Sequence, residues 1–286
     1  MSERLVVVGG KGFIGGSLVS HLKRNHIAFL SITRDEFDLL NKNDCKAICN
    51  ILLPTDVIVF CSAITPARSS KDVIDSILML QNFIDAISNL AIKGFILISS
   101  DAVYGDFHGT IDEESPYSPS TFHGLTQVAR EIILNTSYLE HKSILRLCAV
   151  FGPGDTHNSY GPNRFVNQIR NNDLITVLGL GANKRDHLYI DDAVKIIALF
   201  ALANISGVFN LASGFTLSFK EVAMACRQEF SPNAAIEFVG SEGPIFDKII
   251  DVTRLRNLSL GHTPKSFELG LAQWRVAHKQ AAKTFE

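Results

Sequence analysis

The residues in this chain best suited to chemistry begin with Val8-Gly9-Gly10-Lys11-Gly12-Phe13-Ile14-Gly15, which puts glycines at positions 9, 12 and 15 between an apolar strand and a helix. In such a turn the first glycine permits a tight bend. The second lets backbone approach a pyrophosphate, the third lets the helix pack on the strand, and the phosphates sit on the helix N-terminus. Gly9, Lys11, Gly12, Phe13, Ile14 and Gly15 are therefore the expected dinucleotide contacts, with an ordinary glycine-rich connection as the plainer alternative. The next strand ends Ser31-Ile-Thr-Arg34-Asp35. Arg34 offers a planar, permanently charged fork suited to a 2′-phosphate, and Lys11 is placed to reach the same group. NADP(H) is thus the preferred cofactor. Asp35 turned toward the ribose would instead select NAD(H).

Such a turn needs a parallel sheet behind it, and the rest of the sequence supplies one. Short β-branched runs (Leu5–Val8, Ala28–Ile32, Asp56–Cys61, Gly94–Ile98, Ser143–Cys148) alternate with helical-period segments near 16–24, 43–51, 73–90 and 125–138. That order predicts an α/β fold, a doubly wound parallel Rossmann sheet. After Phe151 the crowding of Gly152, Pro153, Gly154, Gly161 and Pro162 marks a departure from the core. The expected division is a dinucleotide-binding core of residues 1–152 and 186–212, with a smaller, discontinuous substrate-binding lobe of 153–185 and 213–286. The chain should return to the sheet over 186–212 and be mostly helical thereafter.

A formal charge of −2 with interspersed signs argues against a nucleic-acid footprint or a membrane-surface patch, so small molecules are the expected partners. The longest near-apolar run, 193–205, contains Lys195 and is short of the roughly 20 residues that span a bilayer. No signal-peptide pattern precedes the first strand. Five cysteines without a Cys-x-x-Cys pair read as reduced core residues, and no metal site is expected. The expected location is the cytoplasm.

The Gly-x-x-Gly-x-x-Gly spacing, together with Asp56–Ala63, Ser99-Ser-Asp-Ala-Val-Tyr-Gly105, Arg146–Pro153, Arg185–Asp192 and the Leu260-Gly261…Pro264 stretch, resembles the extended short-chain dehydrogenase/reductases, the nucleotide-sugar epimerase/dehydratase family. The segment Thr33–Leu39 is similar to that of GDP-fucose synthase-type reductases, which serve NADPH. The resemblance implies cofactor contacts at Asp38 and Leu39. It also implies contacts at Ser62 and Ala63, which end what matches the family's fourth strand. It makes Ser100 the serine that hydrogen-bonds the reacting oxygen, and Asp101 a substrate neighbour. Ala102 follows where 4,6-dehydratases of the family carry glutamate, which argues against water elimination. The family's Pro-x-Ser-x-Tyr-Gly-x-x-Lys stands here as Pro119-Ser-Thr-Phe-His123-Gly-Leu-Thr-Gln127, so His123 takes the tyrosine place and Gln127 the lysine place, where the resemblance implies a catalytic companion that hydrogen-bonds the nicotinamide ribose of the cofactor. A literal Tyr138-x-x-x-Lys142 lies out of register and reads as coincidence; Tyr117 is the one nearby stand-in. Ala149 replaces a usual asparagine, and Arg185 matches an arginine that meets nucleotide phosphates, with a salt bridge to Asp186 or Asp191 as the alternative.

These features imply an NADP(H)-dependent oxidoreductase, ketoreductase or epimerase, acting on a nucleotide-activated sugar with His123 as acid/base. The reading from another class is a catalytically silent dinucleotide-binding sensor or partner protein, because both diagnostic residues are replaced. The resemblance further implies a homodimer built on the helices near 73–90 and 125–138.

Overall fold

A computed structural model describes residues 4–155, 161–172, 174–241 and 243–283. The first half alternates strictly: β1 (Arg4–Val8), α1 (Phe13–Arg24), β2 (Phe29–Ile32), α2 (Lys42–Cys49), β3 (Asp56–Phe60), α3 (Ser70–Ala86) and β4 (Gly94–Ser100). After β5 (Gly109–Ile111) come α4 (Phe122–Thr136), β6 (Lys142–Leu147) and β7 (Ala149–Phe151). Then follow α5 (Pro162–Asn172), β8 (Leu174–Leu178), β9 (Lys184–Tyr189), α6 (Ile190–Ala203) and β10 (Gly207–Leu211). The chain ends with β11 (Thr216–Ser218), α7 (Phe219–Phe230), β12 (Ala235–Val239), β13 (Lys248–Ile250), α8 (Thr253–Asn257) and α9 (Phe267–Lys283).

Six strands form one sheet in the order β10-β6-β4-β3-β1-β2, with every pair parallel. Both faces are buried, which explains why its strands read as continuous apolar runs. Successive residues alternate between two cores. Leu5 and Val7 face a cluster shared with α1 and α6, while Val6 and Val8 face one shared with α2, α3 and α4. The stretch that the resemblance equates with a fourth strand is the third strand of this sheet. The strand order reverses between β1 and β3, and the crevice beyond their carboxyl ends is where open α/β sheets hold ligands.

Two expectations are corrected. Of residues 186–212 only β10 enters the main sheet. β9 pairs instead with β7 and β11 in a separate three-stranded sheet. Aromatic packing accounts for this: Phe151 on β7 lies 5.5 Å from Tyr189 on β9 and 4.8 Å from Phe267 on α9, centroid to centroid, and holds the two strands in a second layer. Nor is the C-terminal portion mostly helical. It contributes β11, pairs β12 with β8, and pairs β13 with β5. Residues 156–160 of the glycine- and proline-rich departure lie outside the described residues.

Helix α4 carries His123 and Gln127 and is held by a buried polar network. Glu131 accepts from Arg146 of β6 at 2.8 Å, from Tyr117 Oη at 2.9 Å and from Ser99 Oγ at the end of β4. Arg146 donates onward to Tyr104 Oη at 2.7 Å, which donates to Asn210 Oδ1 of β10 at 2.7 Å. Burial alone would lower the Arg146 guanidinium; hydrogen bonding and charge from Glu131 outweigh it and raise its pKa. Burial pushes the Tyr104 phenol up to about 12.

Candidate active site

At the end of β1 the chain turns through Gly9 at φ +91°, where a Cβ would lie 2.7 Å from Ser62 Oγ. A Cβ on Gly15 would collide with the Gly9 carbonyl, so α1 can approach β1 this closely only with glycine there. Gly12 is the N-cap of α1, without a side-chain cap and with no acid in the first turn, which leaves a helix N-terminus suited to an anion. The residues present therefore fit a dinucleotide pyrophosphate.

From this turn a cavity of about 790 Å³ runs toward the second layer. Its lining includes Gly12, Phe13, Ile14, Gly15 and Ala63 of the dinucleotide turn and its neighbour strand, together with Ser100, Asp101, His123, Gln127 and Arg185. Among the expected site residues the structure thus brings together the glycine turn, the serine, the histidine and glutamine of α4, and the arginine of β9. The Ser100 hydroxyl accepts from Ala102 N at 3.2 Å and donates to Asp101 Oδ1 at 3.3 Å, which orients it at the start of a short 3₁₀ turn. His123 lies in the first turn of α4, whose N-cap Thr121 accepts from Gly124 N. Arg185 pairs with neither Asp186 nor Asp191: its Nη2 meets Asp106 Oδ1 at 3.2 Å and its Nη1 donates to Phe246 O at 2.9 Å. Asp186 is instead buried and accepts from Ser213 N and Gly214 N.

Other expected residues lie outside this cavity lining. Lys11 is ion-paired with Asp35, both exposed, which raises the lysine and lowers the carboxyl through their hydrogen bond and charge. Arg34 is exposed and has no ion pair among the described residues. Asp38 accepts from Leu40 N, while Leu39 is a buried core residue whose carbonyl is taken by Asn82. Ser62 packs against Gly9 and its carbonyl accepts from Arg130 at 3.0 Å. Tyr117 is committed to Glu131 and Arg146, and burial followed by the Glu131 charge raises its pKa, so it does not stand in for the missing tyrosine. Lys142 donates to the carbonyls of Leu134, Asn135 and Ser137, closing the end of α4 far from Ser100; the coincidental Tyr-x-x-x-Lys is structural.

Two cavity residues escaped sequence reading. Lys248 of β13 donates to Asp101 Oδ2 at 2.8 Å with only 6% of its side chain exposed, and nothing local signals a partner 147 residues away. Arg130 on α4 is 1% exposed and also lines the cavity. Its signal was present in the helical spacing, since Gln127, Arg130, Glu131 and Leu134 make an inward-facing set on α4.

Comparison with known proteins agrees with this architecture. The chain is 26% identical to the low-salt glycan biosynthesis protein Agl12 of Haloferax volcanii over 93% of this chain and 96% of that one. It is 25% identical to dTDP-D-glucose 4,6-dehydratase of Dictyostelium discoideum over 77% of this chain, and there spans 61% of the relative's length. The solved UDP-glucose 4-epimerase of Thermotoga maritima shares the fold with a TM-score of 0.84 at 20% identity, covering 99% of this chain and 100% of that one. A family model matches residues 5–212. The protein belongs to the NAD-dependent epimerase/dehydratase family.

Proposed function

We propose that the protein is an NADP(H)-dependent oxidoreductase, a ketoreductase or epimerase of the cytoplasm, acting on a nucleotide-activated sugar. The observation that carries this reading is the continuity of one cavity from the glycine turn, past Ser100, His123 and Gln127, to Arg185. When bound, the dinucleotide supplies or accepts a hydride at the sugar carbon. Gly12 to Gly15 hold its pyrophosphate on the N-terminus of α1. Arg34 faces the 2′-phosphate, and Lys11 keeps Asp35 from repelling it. Ser100 hydrogen-bonds the reacting sugar oxygen, while the His123 imidazole gives or takes its proton; a histidine starts near neutrality and needs no cationic neighbour to reach it. Arg185 meets the nucleotide phosphates with its fork, and the Asp101–Lys248 pair borders the sugar.

The protein works as a homodimer in this reading. Ile74 and Leu78 on α3 and Phe122, Leu125 and Ile132 on α4 are all exposed, an apolar surface that a second copy would cover.

Single-turnover oxidation of bound NADPH by nucleotide keto-sugars tests the proposal, in native protein, His123→Ala, and the double change His123→Tyr with Gln127→Lys. Turnover by the native protein that is lost in His123→Ala supports it. Retention of the native rate in His123→Ala removes the imidazole as acid. A native protein that binds both ligands, turns nothing over, and gains activity only in the double variant is a silent binder.

A further inference from the structure

Gln127 cannot by itself replace a lysine, because a carboxamide is neutral and offers an acceptor as well as donors. Its surroundings change that. Arg130 follows Gln127 by three positions and His123 by seven, so all three share one face of α4. The Arg130 guanidinium donates from Nη1 to Gln127 Oε1 at 2.6 Å and to Ile98 O at 3.3 Å, and from Nη2 to Ser62 O at 3.0 Å. Its carbon lies 5.8 Å from the Phe60 ring centroid, and its buried Nε has no acceptor. Among the described residues no carboxylate pairs with it; the adjacent Glu131 is taken by Arg146. Burial pulls Arg130 down to about 10, so it is a cation at neutral pH. A buried cation without a counter-ion is costly, and this one stands in the wall of the ligand cavity.

A guanidinium has only donors, so the amide must turn its oxygen toward Arg130. The Gln127 Nε2 group, with two hydrogens, is then the end left for a ligand. We propose that Gln127 and Arg130 together hold the ribose as one lysine would: Gln127 supplies the hydrogen-bond donor to the nicotinamide-side ribose of the dinucleotide, and the Arg130 cation fixes the amide so that it can only donate. Arg130 is a positioning residue, acting through Gln127. This rests on the reading that a nicotinamide dinucleotide occupies the cavity.

The test measures NADPH and NADH dissociation constants by fluorescence titration, and the melting temperature of the unliganded protein, in four variants. Gln127→Glu keeps the acceptor facing Arg130 and loses the donor, so affinity should fall at least tenfold while the melting temperature holds or rises. Arg130→Met should weaken binding at least tenfold. Gln127→Lys alone sets two cations together and should lower both affinity and melting temperature. Gln127→Lys with Arg130→Met moves the charge onto one residue and should return affinity to within threefold of native. A purely structural arginine would lower the melting temperature without this rescue. Native affinity in a folded Gln127→Glu, or a double variant no better than Arg130→Met, overturns the inference; if Arg130→Met does not fold, Gln127→Glu decides it. A native protein that binds neither dinucleotide overturns the functional reading as well.

Discussion

Replacing Glu131 by Ala should be the most damaging single change to the platform beneath the site. The Glu131 and Arg146 side chains are 0% and 4% exposed, and the carboxylate meets the guanidinium at 2.8 Å from Nη2 and at 3.1 Å from Nε. Removing it leaves the Arg146 cation buried with only neutral partners, a loss of about 3–5 kcal/mol. With an unfolding entropy of about 2.1 cal/mol/K per residue, each kcal/mol in a chain of this length moves the midpoint by about 1.7 °C, so the melting temperature should fall by about 5–8 °C. Differential scanning calorimetry reads this directly. Glu131→Gln, which keeps the shape and one acceptor, should cost less. Glu131→Leu combined with Arg146→Leu should cost less than the sum of the two single changes, because neither charge is then stranded. A Glu131→Ala protein melting within about 2 °C of native, a change under roughly 1.2 kcal/mol on the same scale, would refute the claim that this pair anchors α4.

Four other outcomes are expected. His187 is buried against Phe219 and Phe267, and burial lowers its pKa to about 4; the unfolded chain takes up the proton first, so stability falls as pH drops from about 6.5 toward 4, by up to about 3 kcal/mol. Urea titrations across that range should show the slope and His187→Phe should reduce it; an unchanged slope would assign the effect elsewhere. Lys11→Ala exposes the Asp35 charge and Arg34→Ala removes the phosphate fork, so each should lower the NADPH-to-NADH affinity ratio, and an unmoved ratio in both would remove the basis for NADP(H). Arg185→Ala should weaken nucleoside diphosphate binding by about 1–3 kcal/mol in calorimetry, the scale for a charged hydrogen bond; native affinity in the variant would place the phosphates elsewhere. Leu125→Glu puts a charge in the exposed apolar surface of α4 and should shift the proposed homodimer to monomer in sedimentation; identical sedimentation would locate the interface on another face.

What the sequence made legible was local. The strand–glycine–helix unit of residues 4–24 carries its own instructions, and the Pro119…Gly124 punctuation put His123 and Gln127 in register without any knowledge of the fold. Residues whose significance depends on long-range packing stayed hidden. Lys248 reaches Asp101 only because β13 pairs with β5, and short strands of three residues leave almost no periodic signal. Strand β9 reads like a core strand because Asp186 to Tyr189 are all buried, as they would be in either sheet. Lys11 and Arg34 looked equivalent in the sequence, whereas the fold brings Lys11 to the Asp35 carboxylate and leaves Arg34 with no ion pair among the described residues.

The position of β10 at the outer edge of the main sheet matters before the protein is finished. Its partner β6 ends at Leu147, and β10 is complete only at Leu211, after the chain has built β7, α5, β8, β9 and α6. At about 5–20 residues per second, a ribosome needs about 3–13 s to make that stretch. During that interval the nascent sheet presents the open hydrogen-bonding edge of β6, and Tyr104 has no Asn210 to accept its hydrogen bond. Exposed strand edges recruit other chains. Slow translation between residues 148 and 206, or substitutions that delay the docking of α6, should therefore reduce the yield of soluble protein without changing the melting temperature of the molecules that do complete the sheet.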